Sequence, residues 1–256
     1  MLALERRNEI LKLIQTQHTV YVGALSHQFG VTDETIRRDL ERLEKSGSIV
    51  RTHGGAMLAK QDATRIEQSA SVRKLTNIKE KTAIAELIAQ TVSDGDDIML
   101  DDSSTSLFVA RALREKHHLT IITNSLEIIW ELKDCSDWNV MGTGGVLRPR
   151  SMSFVGNQAE TMLSSFYVDK AIISCKGLDV QRGFSESNEP SALVKRRMLS
   201  SAKNVILAVD SSKFGLSSFI QIGQLADLST LVTDRKPSPE WLSALQEADV
   251  ACSWAK

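Results

Sequence analysis

The hydrophobic pattern divides the chain into a helical first part and a second part in which helices and short apolar strands alternate. Helical periodicity predicts helices over residues 4–17 and 22–29, and a third helix that begins near Asp33. Gly30 permits a turn before this helix, and the hydroxyl of Thr32 can cap it. Apolar residues at spacings of four and three give it one buried stripe, formed by Ile36, Leu40 and Leu43. Three helices with a tight turn before the third predict a helix-turn-helix.

A strand pair is predicted after the third helix. Gly47 is expected to end the helix, and residues 48–57 alternate as a strand, turn at Gly54 and Gly55, and return. The hairpin completes a winged helix-turn-helix, to which we assign residues 1–57.

The face of the third helix opposite the apolar stripe is predicted to be exposed and rich in arginine. At about 100° per residue it holds Glu34, Arg38, Glu41, Arg42 and Lys45, with Thr35 and Arg37 on its flanks. A major groove admits one helix, and arginine can donate two hydrogen bonds to a guanine edge, which suits base recognition. Exposed helices also commonly carry mixed charge, and Glu34 with Arg38 is an ordinary supporting pair. The helix alone therefore leaves both interpretations open.

Charge in the first 60 residues is nearly balanced, since nine Lys and Arg residues stand against seven acids. The attraction for DNA phosphates is therefore expected at a few positions and not over the whole domain. It rests on the third helix and on Arg51 and His53 in the wing.

The rest of the chain predicts an α/β domain. Residues 58–77 are polar and lack apolar periodicity, so they are predicted to link the winged helix to a second domain, residues 78–256. Helices are expected around residues 84–92, 107–113, 187–203 and 239–248. Strands are expected at residues 98–100, 119–123, 139–142, 169–175, 205–210, 231–234 and 250–252. This alternation favours a Rossmann-like, largely parallel sheet.

Four polar loops follow predicted strands, where ligands of parallel sheets bind. They are residues 101–105, 123–125, 142–145 and 210–215. The first opens a helix whose free N–H groups suit an anion, the third has glycines that let a ligand approach the backbone, and the last adds the cation Lys213. Each loop alone fits ordinary caps and turns. Four at one edge of a sheet favour a ligand site.

Two stretches of the first domain resemble the signature of the DeoR family of bacterial transcription regulators. They are residues 31–40, Val-Thr-Asp-Glu-Thr-Ile-Arg-Arg-Asp-Leu, and residues 51–56, Arg-Thr-His-Gly-Gly-Ala. The resemblance implies a sugar-responsive regulator, usually a repressor, whose third helix reads bases while the wing lies near the backbone or minor groove. The DNA-binding residues are then expected to be Thr32, Glu34, Thr35, Arg37, Arg38, Arg42, Arg51 and His53.

Residues 79–234 resemble the sensor domain of the same family, which is related in fold to ribose-5-phosphate isomerase. The resemblance implies a phosphorylated sugar or a related metabolite as effector. Carried over position by position, the expected effector-binding residues are Asp101, Ser103, Ser104, Thr105, Thr123, Asn124, Ser125, Gly144, Gly145, Lys176, Glu189, Lys195 and Lys213. Two of these depart from the family pattern, because Ser103 replaces a glycine and Lys176 replaces a small residue. A second cation beside Lys213 favours an effector with two anionic groups, or a sugar acid, whereas a lysine at a strand end can equally turn into solvent.

A regulator and an enzyme are the two main function classes to separate. An isomerase-type sheet with Asp101, Asp102, Glu189 and Lys213 can supply an acid, a base and a phosphate anchor. A metabolic isomerase has no need of a winged helix, and kinship of fold does not transfer activity. We therefore expect a DNA-binding regulator without catalytic residues. A purely structural protein is disfavoured, because the exposed arginines would lack a task.

The expected partners are double-stranded operator DNA, a small-molecule effector and further copies of the chain, since one winged helix recognises only a short half-site. Three widely spaced cysteines without Cys-x-x-Cys, and five histidines without a His-x-x-x-His pair, predict no disulfide, metal or cofactor. Early charge at residues 5–7 and the lack of a long apolar run predict a cytoplasmic protein with no membrane segment.

Overall fold

Two compact units make up the structure, a computed structural model that describes residues 2–17, 19–45, 49–52, 54–58 and 67–255. The first unit is Met1–Thr76 and the second is Asn77–Lys256. Gly47 and His53, which the sequence predicts to end the third helix and to contact DNA, lie outside the described residues.

The first unit contains the predicted helix-turn-helix and wing. Its helices are α1 (Ala3–Gln17), α2 (Val22–Phe29) and α3 (Asp33–Lys45), and its strands are β1 (Thr19–Tyr21), β2 (Ile49–Thr52) and β3 (Gly55–Leu58). The strands form an antiparallel sheet in the order β1-β3-β2. β1 is an addition to the prediction, because three residues between two helices are too few for strand alternation to show.

Local chemistry sets the start of α3. Gly30 follows α2 with φ 62°, a left-handed conformation that glycine adopts without strain. Thr32 Oγ1 then accepts the N–H of Thr35 at 3.3 Å, which is an N-cap bond. The predicted start near Asp33 is therefore confirmed. The predicted stripe of Ile36, Leu40 and Leu43 is buried in the core of this unit.

The segment predicted to be a linker has ordered structure at both ends. Leu58 ends β3, and α4 (Ala70–Arg73) buries Ala70 and Val72, with Val72 in the core of the first unit. Two apolar residues in one turn are enough to dock this helix, yet they give no periodicity that a sequence pattern can show. Residues 59–66 lie outside the described residues.

The second unit alternates strands and helices. Its strands are β4 (Asp97–Leu100), β5 (Thr120–Thr123), β6 (Asn139–Gly142), β7 (Val146–Arg148), β8 (Ser153–Val155), β9 (Val168–Ile173), β10 (Gly177–Asp179), β11 (Gly183–Glu186), β12 (Ala202–Ala208), β13 (Ile220–Gly223), β14 (Thr230–Thr233) and β15 (Ala251–Trp254). Its α-helices are α5 (Ile78–Gln90), α6 (Ser104–Ala112), α7 (Leu126–Glu131), α8 (Asn157–Ser164), α9 (Glu189–Ser200) and α10 (Pro239–Glu247). Short 3-10 turns occur at Leu113–Glu115, Ser211–Lys213 and Leu225–Asp227.

Seven strands form one parallel sheet in the order β15-β14-β12-β9-β4-β5-β6. They are the seven predicted strands, and the predicted α/β fold class is confirmed. Ile98 and Leu100 point to one core and Met99 to the other, so the sheet is buried on both faces. The chain runs outward from β4 to β6 in one direction and from β9 to β15 in the other. The strand order therefore reverses between β4 and β9, which is where ligands of such sheets bind.

Two smaller antiparallel sheets and two helices are not predicted by the sequence pattern. β7 pairs with β8, and β11 lies between β10 and β13. All four residues of β11 are buried, including Ser185 and Glu186, so this strand shows neither an apolar run nor an alternation. α7 and α8 are only six and eight residues long. Among the described residues, no helix is long and apolar enough to span a membrane.

Candidate DNA-binding surface and effector site

The outward face of α3 carries the predicted arginines. Arg37, Arg38 and Arg42 are exposed, and Thr35 is half-buried. Arg38 lies 3.4 Å from Glu34, and both side chains are more than half exposed, at 74% and 62%. An exposed pair of this kind adds little stability and leaves the guanidinium group free to exchange partners. The surface therefore offers three cations within six residues of one helix.

The wing is attached to α3 through Glu44, a residue that the sequence does not single out. Glu44 Oε1 accepts the backbone N–H of Arg51 at 3.1 Å. The Arg51 side chain is exposed on β2. Thr32 is also exposed, but its hydroxyl already accepts the N–H of Thr35 and contacts the Thr35 hydroxyl at 2.9 Å.

A buried ion pair lies beneath α3. Arg6 Nε of α1 donates to Asp39 Oδ2 at 2.6 Å, and the two side chains are 9% and 4% exposed. The sequence does hold a signal for this pair, because Asp39 follows Ile36 by three residues and lies on the apolar stripe. An acid at such a position needs a buried partner.

Asp101 follows β4 and is the most enclosed of the predicted effector residues. Its Oδ1 accepts the N–H of Ser103 at 3.1 Å and the hydroxyl of Ser106. Its Oδ2 accepts the N–H of Ser174, after β9, at 2.9 Å, and lies 3.2 Å from Lys195 Nζ. With four donors around one fully buried carboxylate, Asp101 joins the ends of β4 and β9 from within.

The loop after Asp101 opens α6 in the predicted way. Ser103 replaces the family glycine without strain, since its φ is −73°, and its Oγ caps the N–H of Ser106 at 3.0 Å. Helix starts leave their first N–H groups without intrahelical acceptors. The N–H groups of Ser104 and Thr105 are therefore suited to an anion. Ser104 is half-buried and Thr105 is buried.

The loops after β5 and β6 adjoin the β7–β8 hairpin. Thr123, Asn124 and Ser125 are buried, and Ser125 Oγ caps α7. Asn124 Nδ2 donates to Phe154 O at 3.0 Å, whereas its Oδ1 is buried without a hydrogen-bond partner. Buried amide oxygens of this kind are uncommon and suit a ligand donor.

Gly144 and Gly145 follow β6 and differ in what surrounds them. Both have positive φ, 64° and 109°. A Cβ at Gly145 would lie 2.7 Å from the carbonyl oxygen of Val155, whereas Gly144 borders open space. Gly145 therefore serves packing of the hairpin, and Gly144 leaves backbone accessible.

Lys195 lies in a buried network near the reversal of strand order between β4 and β9, and not on an open face. Its Nζ donates to Glu186 Oε2 at 2.7 Å and to the carbonyl oxygen of Ser174 at 2.8 Å, in addition to its contact with Asp101. Burial acts to raise the pKa of Glu186, but the charges of Lys195 and then Lys176 outweigh it and bring the pKa to about 2. Burial acts to lower the pKa of Lys195, and Glu186 followed by Asp101 reverses this, so the pKa is raised. Both groups are charged at neutral pH.

Glu186 is a buried charge that the sequence pattern does not mark, and it changes the interpretation of Lys176. Lys176 is half-buried, and its N–H donates to Ser185 O at 2.9 Å, which places it beside β11. Its charge therefore helps to balance Glu186 and is not committed to a ligand alone. Glu189, the first residue of α9, is exposed.

The loop after β12 carries Lys213 on a short 3-10 turn that is hydrogen-bonded to two aspartates. Ser211 is held by Asp234, whose Oδ2 accepts the Ser211 hydroxyl at 3.0 Å. Asp210 is buried and accepts the N–H of Ser212 at 3.0 Å. The half-buried Lys213 contributes positive charge to this loop and lowers the pKa of Asp210, against the effect of burial.

A cavity of about 270 Å³ adjoins this loop on the side of β14. It is lined by Ser211, Phe214, Arg235, Lys236, Pro237, Ser238 and Trp241. None of the predicted effector residues lines it. Its position beside β14 is away from the strand-order reversal between β4 and β9, so the crevice at that reversal remains the candidate effector site.

Family models match both units of the chain. A model described as the DeoR-like helix-turn-helix domain matches residues 6–62. A model described as the DeoR C terminal sensor domain matches residues 76–235.

Similar proteins are transcriptional regulators by name. The HTH-type transcriptional regulator YulB of Bacillus subtilis is 42% identical over 98% of this chain and 96% of its own length. The transcriptional repressor AccR of Agrobacterium fabrum is 35% identical over 90% of this chain and 89% of its own. The glycerol-3-phosphate regulon repressor of Escherichia coli is 30% identical over 95% of each. Among solved structures, ribose 5-phosphate isomerase A from Methanocaldococcus jannaschii superposes with a TM-score of 0.39 and 16% identity, over 52% of this chain and 53% of that one.

Proposed function

Because this chain belongs to the DeoR family of transcriptional regulators, we propose that it represses a carbohydrate-catabolism operon and that a phosphorylated sugar or related metabolite controls its binding to double-stranded operator DNA. One observation carries the proposal: the same chain has exposed arginines on α3 and, in its second unit, loops suited to an anion. These loops lie at the edge of the sheet where the strand order reverses between β4 and β9. The names of two relatives support it, since both are repressors and one controls a glycerol-3-phosphate regulon.

On the DNA side, α3 enters the major groove and the wing lies along the backbone. Arg37, Arg38 and Arg42 are the groups that reach bases and phosphates, and Arg51 reaches phosphates from the wing. Residues 1–57 form the part that contacts DNA, the rest of the first unit up to Thr76 leads from it to the sensor, and Asn77–Lys256 form the sensor unit. A homo-oligomer presents two such helices to a symmetric operator, since one winged helix covers only a half-site.

On the effector side, the phosphate lies between the N–H groups at the start of α6 and the ammonium group of Lys213. Gly144 and Asn124 border the sugar. Asp101 and Lys195 shape the crevice from below, because their polar atoms are already engaged with one another and with Glu186.

The same network argues against catalysis. A general base needs a pKa near the working pH and a lone pair that can reach the substrate. Glu186 has a pKa of about 2, and the oxygens of Asp101 accept from four donors. Neither of these two carboxylates is therefore suited to act as a general base, which supports a site that binds a sugar phosphate without turning it over.

Arg38→Ala is expected to weaken binding to operator DNA far more than binding to random DNA. Arg38 points away from the apolar stripe, and a lost base contact costs about 1–3 kcal/mol at one position of the site. The measurement is fluorescence anisotropy with both DNAs over a range of salt concentrations.

Lys45→Ala is the matched control, because Lys45 is an exposed cation in the last turn of α3 and is paired with Glu41 at 2.7 Å. It should leave the preference for operator unchanged. An unchanged preference in Arg38→Ala would remove Arg38 from base recognition.

Lys213→Ala is expected to weaken the binding of a sugar phosphate by about tenfold or more, since it removes a charge-assisted bond to the phosphate. Calorimetry of the full chain against glucose 6-phosphate, glycerol 3-phosphate and 6-phosphogluconate measures this. Lys176→Ser should weaken only the ligand with a second anionic group.

The control is Lys236→Ala, because Lys236 borders the neighbouring cavity and its Nζ lies 5.8 Å from the ring centroid of Trp254. Equal affinities for Lys213→Ala and the parent would place the phosphate elsewhere. Steady isomerase turnover by the parent would contradict the absence of catalysis.

A further inference from the structure

Asn77 opens the second unit and is tied directly to the loop that carries Lys213. Its Nδ2 donates to Asp210 Oδ1 at 3.1 Å. Asn77 also has a left-handed backbone, with φ 51° and ψ 47°, at the residue before α5. Asparagine is one of the few non-glycine residues that adopts this conformation readily. Asn77 therefore does two things: its backbone sets the direction of the chain into α5, and its side chain binds Asp210.

Asp210 connects Asn77 to the loop that carries Lys213. It is 3% exposed and is surrounded by groups that stabilise its charge. Burial acts to raise its pKa, but Lys213, then Ser212, then Lys81 of α5 outweigh this, and the pKa is lowered. The carboxylate is therefore ionised at neutral pH, balanced by one cation from its own loop and one from the first turn of α5.

Lys213 is also the cation proposed for the effector phosphate. An anion bound at Lys213 places a second negative charge near Asp210, and the repulsion between the two raises the electrostatic cost of the buried carboxylate. A buried carboxylate stays ionised only if nearby positive charge and hydrogen-bond donors offset the cost of its burial. The other groups that offset this cost from the described part of α5 and its cap are Lys81 and Asn77. Occupancy of the effector site is thus expected to tighten the contact between Asp210 and the start of α5.

We propose that Asn77 is a positioning residue of the effector site, which holds the Lys213 loop through Asp210 and carries the occupancy of the site to the residue where the sensor unit begins. This inference rests on the proposed function, because it uses the same effector site. In chain order, Asn77 directly follows the last residue of the first unit. It is therefore a point at which a change in the sensor reaches the segment that leads to the DNA-binding domain.

The test is hydrogen–deuterium exchange of the full-length chain with and without millimolar inorganic phosphate, the probe for the anion site. In the parent, phosphate should slow exchange in residues 210–215, and it should slow residues 78–82 by roughly three- to tenfold, the effect of strengthening one bond to a charged group. Asn77→Gly removes the amide and still permits the left-handed backbone. In this variant the loop should still be protected, whereas the protection of residues 78–82 should disappear.

Asn204→Ala is the matched control, because it removes an asparagine amide that donates to Asp169 O at 3.1 Å near the start of β12. Its phosphate response should equal that of the parent. Protection of residues 78–82 that persists in Asn77→Gly, or a parent response confined to the loop, overturns the inference and leaves the effector site in place. If phosphate does not slow exchange in residues 210–215 of the parent, both the inference and the proposed effector site are refuted. This measurement needs no variant.

Discussion

Replacement of Lys195 with methionine is expected to lower the free energy of unfolding of the second unit by about 3–5 kcal/mol, the usual cost of breaking a buried ion pair. The ammonium group contacts Glu186, Ser174 O and Asp101 at distances from 2.7 to 3.2 Å. Its removal leaves two buried carboxylates without their shared cation. Urea unfolding followed by tryptophan fluorescence measures the loss, because all four tryptophans lie in the second unit.

Lys133→Met is the control for this substitution, since Lys133 pairs with Asp134 on the exposed surface. Exposed pairs contribute little, so its unfolding transition should stay close to that of the parent. Equal losses in the two variants would show that the buried network adds no stability.

The loss of unfolding free energy in Lys195→Met should also depend on pH, and the pKa of Glu186 determines the direction of this dependence. The pKa of Glu186 is about 2 in the folded protein, against an ordinary value of 4.5. A group with a lowered pKa contributes stability that is fully present above 4.5 and is lost as the pH falls towards 2. The stability difference between parent and Lys195→Met should therefore shrink over this window. A difference that grows as the pH falls would contradict the ionised state of Glu186.

Asp39→Ala is expected to abolish operator binding at physiological temperature, although Asp39 is buried and does not lie on the exposed, arginine-bearing face of α3. The substitution leaves Arg6 as a buried cation without its partner, at a cost of about 3–5 kcal/mol. That is a large share of the roughly 5–15 kcal/mol that stabilises a small domain. Circular dichroism should show loss of helix, and anisotropy should show loss of binding at the same temperature.

Cooling separates this effect from a direct contact with DNA. Conditions that restore the fold of Asp39→Ala should restore operator binding, whereas Arg38→Ala should stay weak at every temperature. Glu41→Gln is the matched control, because it breaks an exposed pair in the same helix, and it should keep both fold and binding. Operator binding that is unaffected in Asp39→Ala would mean that the Arg6 pair is dispensable.

The parts of the fold that were predictable are those whose burial is written in the apolar pattern. A parallel strand covered on both faces is a short apolar run, such as Ile121 and Ile122, and the five inner strands of the main sheet carry one, whereas the edge strands β6 and β15 are only half-buried. The start of α3 was predictable because Gly30 and Thr32 act through local chemistry. The loops at the strand ends follow from the order of strands and helices.

The remainder depends on contacts between residues that are far apart in the chain. Lys195 resembles a ligand-binding lysine until Glu186 is found beside it, and nothing in the sequence of β11 marks Glu186 as buried. Asp39 shows the opposite case, because its position on the apolar stripe is a visible signal whose partner, Arg6, lies 33 residues away. Burial of Asn124 likewise depends on the hairpin that covers it, and the short strands of that hairpin leave no periodicity.

The hydrogen bond from the Arg51 N–H to Glu44 has a consequence for the entropy of DNA binding. It fastens the first strand of the wing to the last turn of α3 in the free protein. The distance between the backbones of α3 and the wing is thus restrained before DNA binds, and less conformational freedom is lost on association. In the proposed DNA complex, α3 and the wing then approach the groove and the adjoining phosphates as a preorganised surface in which a shift of either element moves the other.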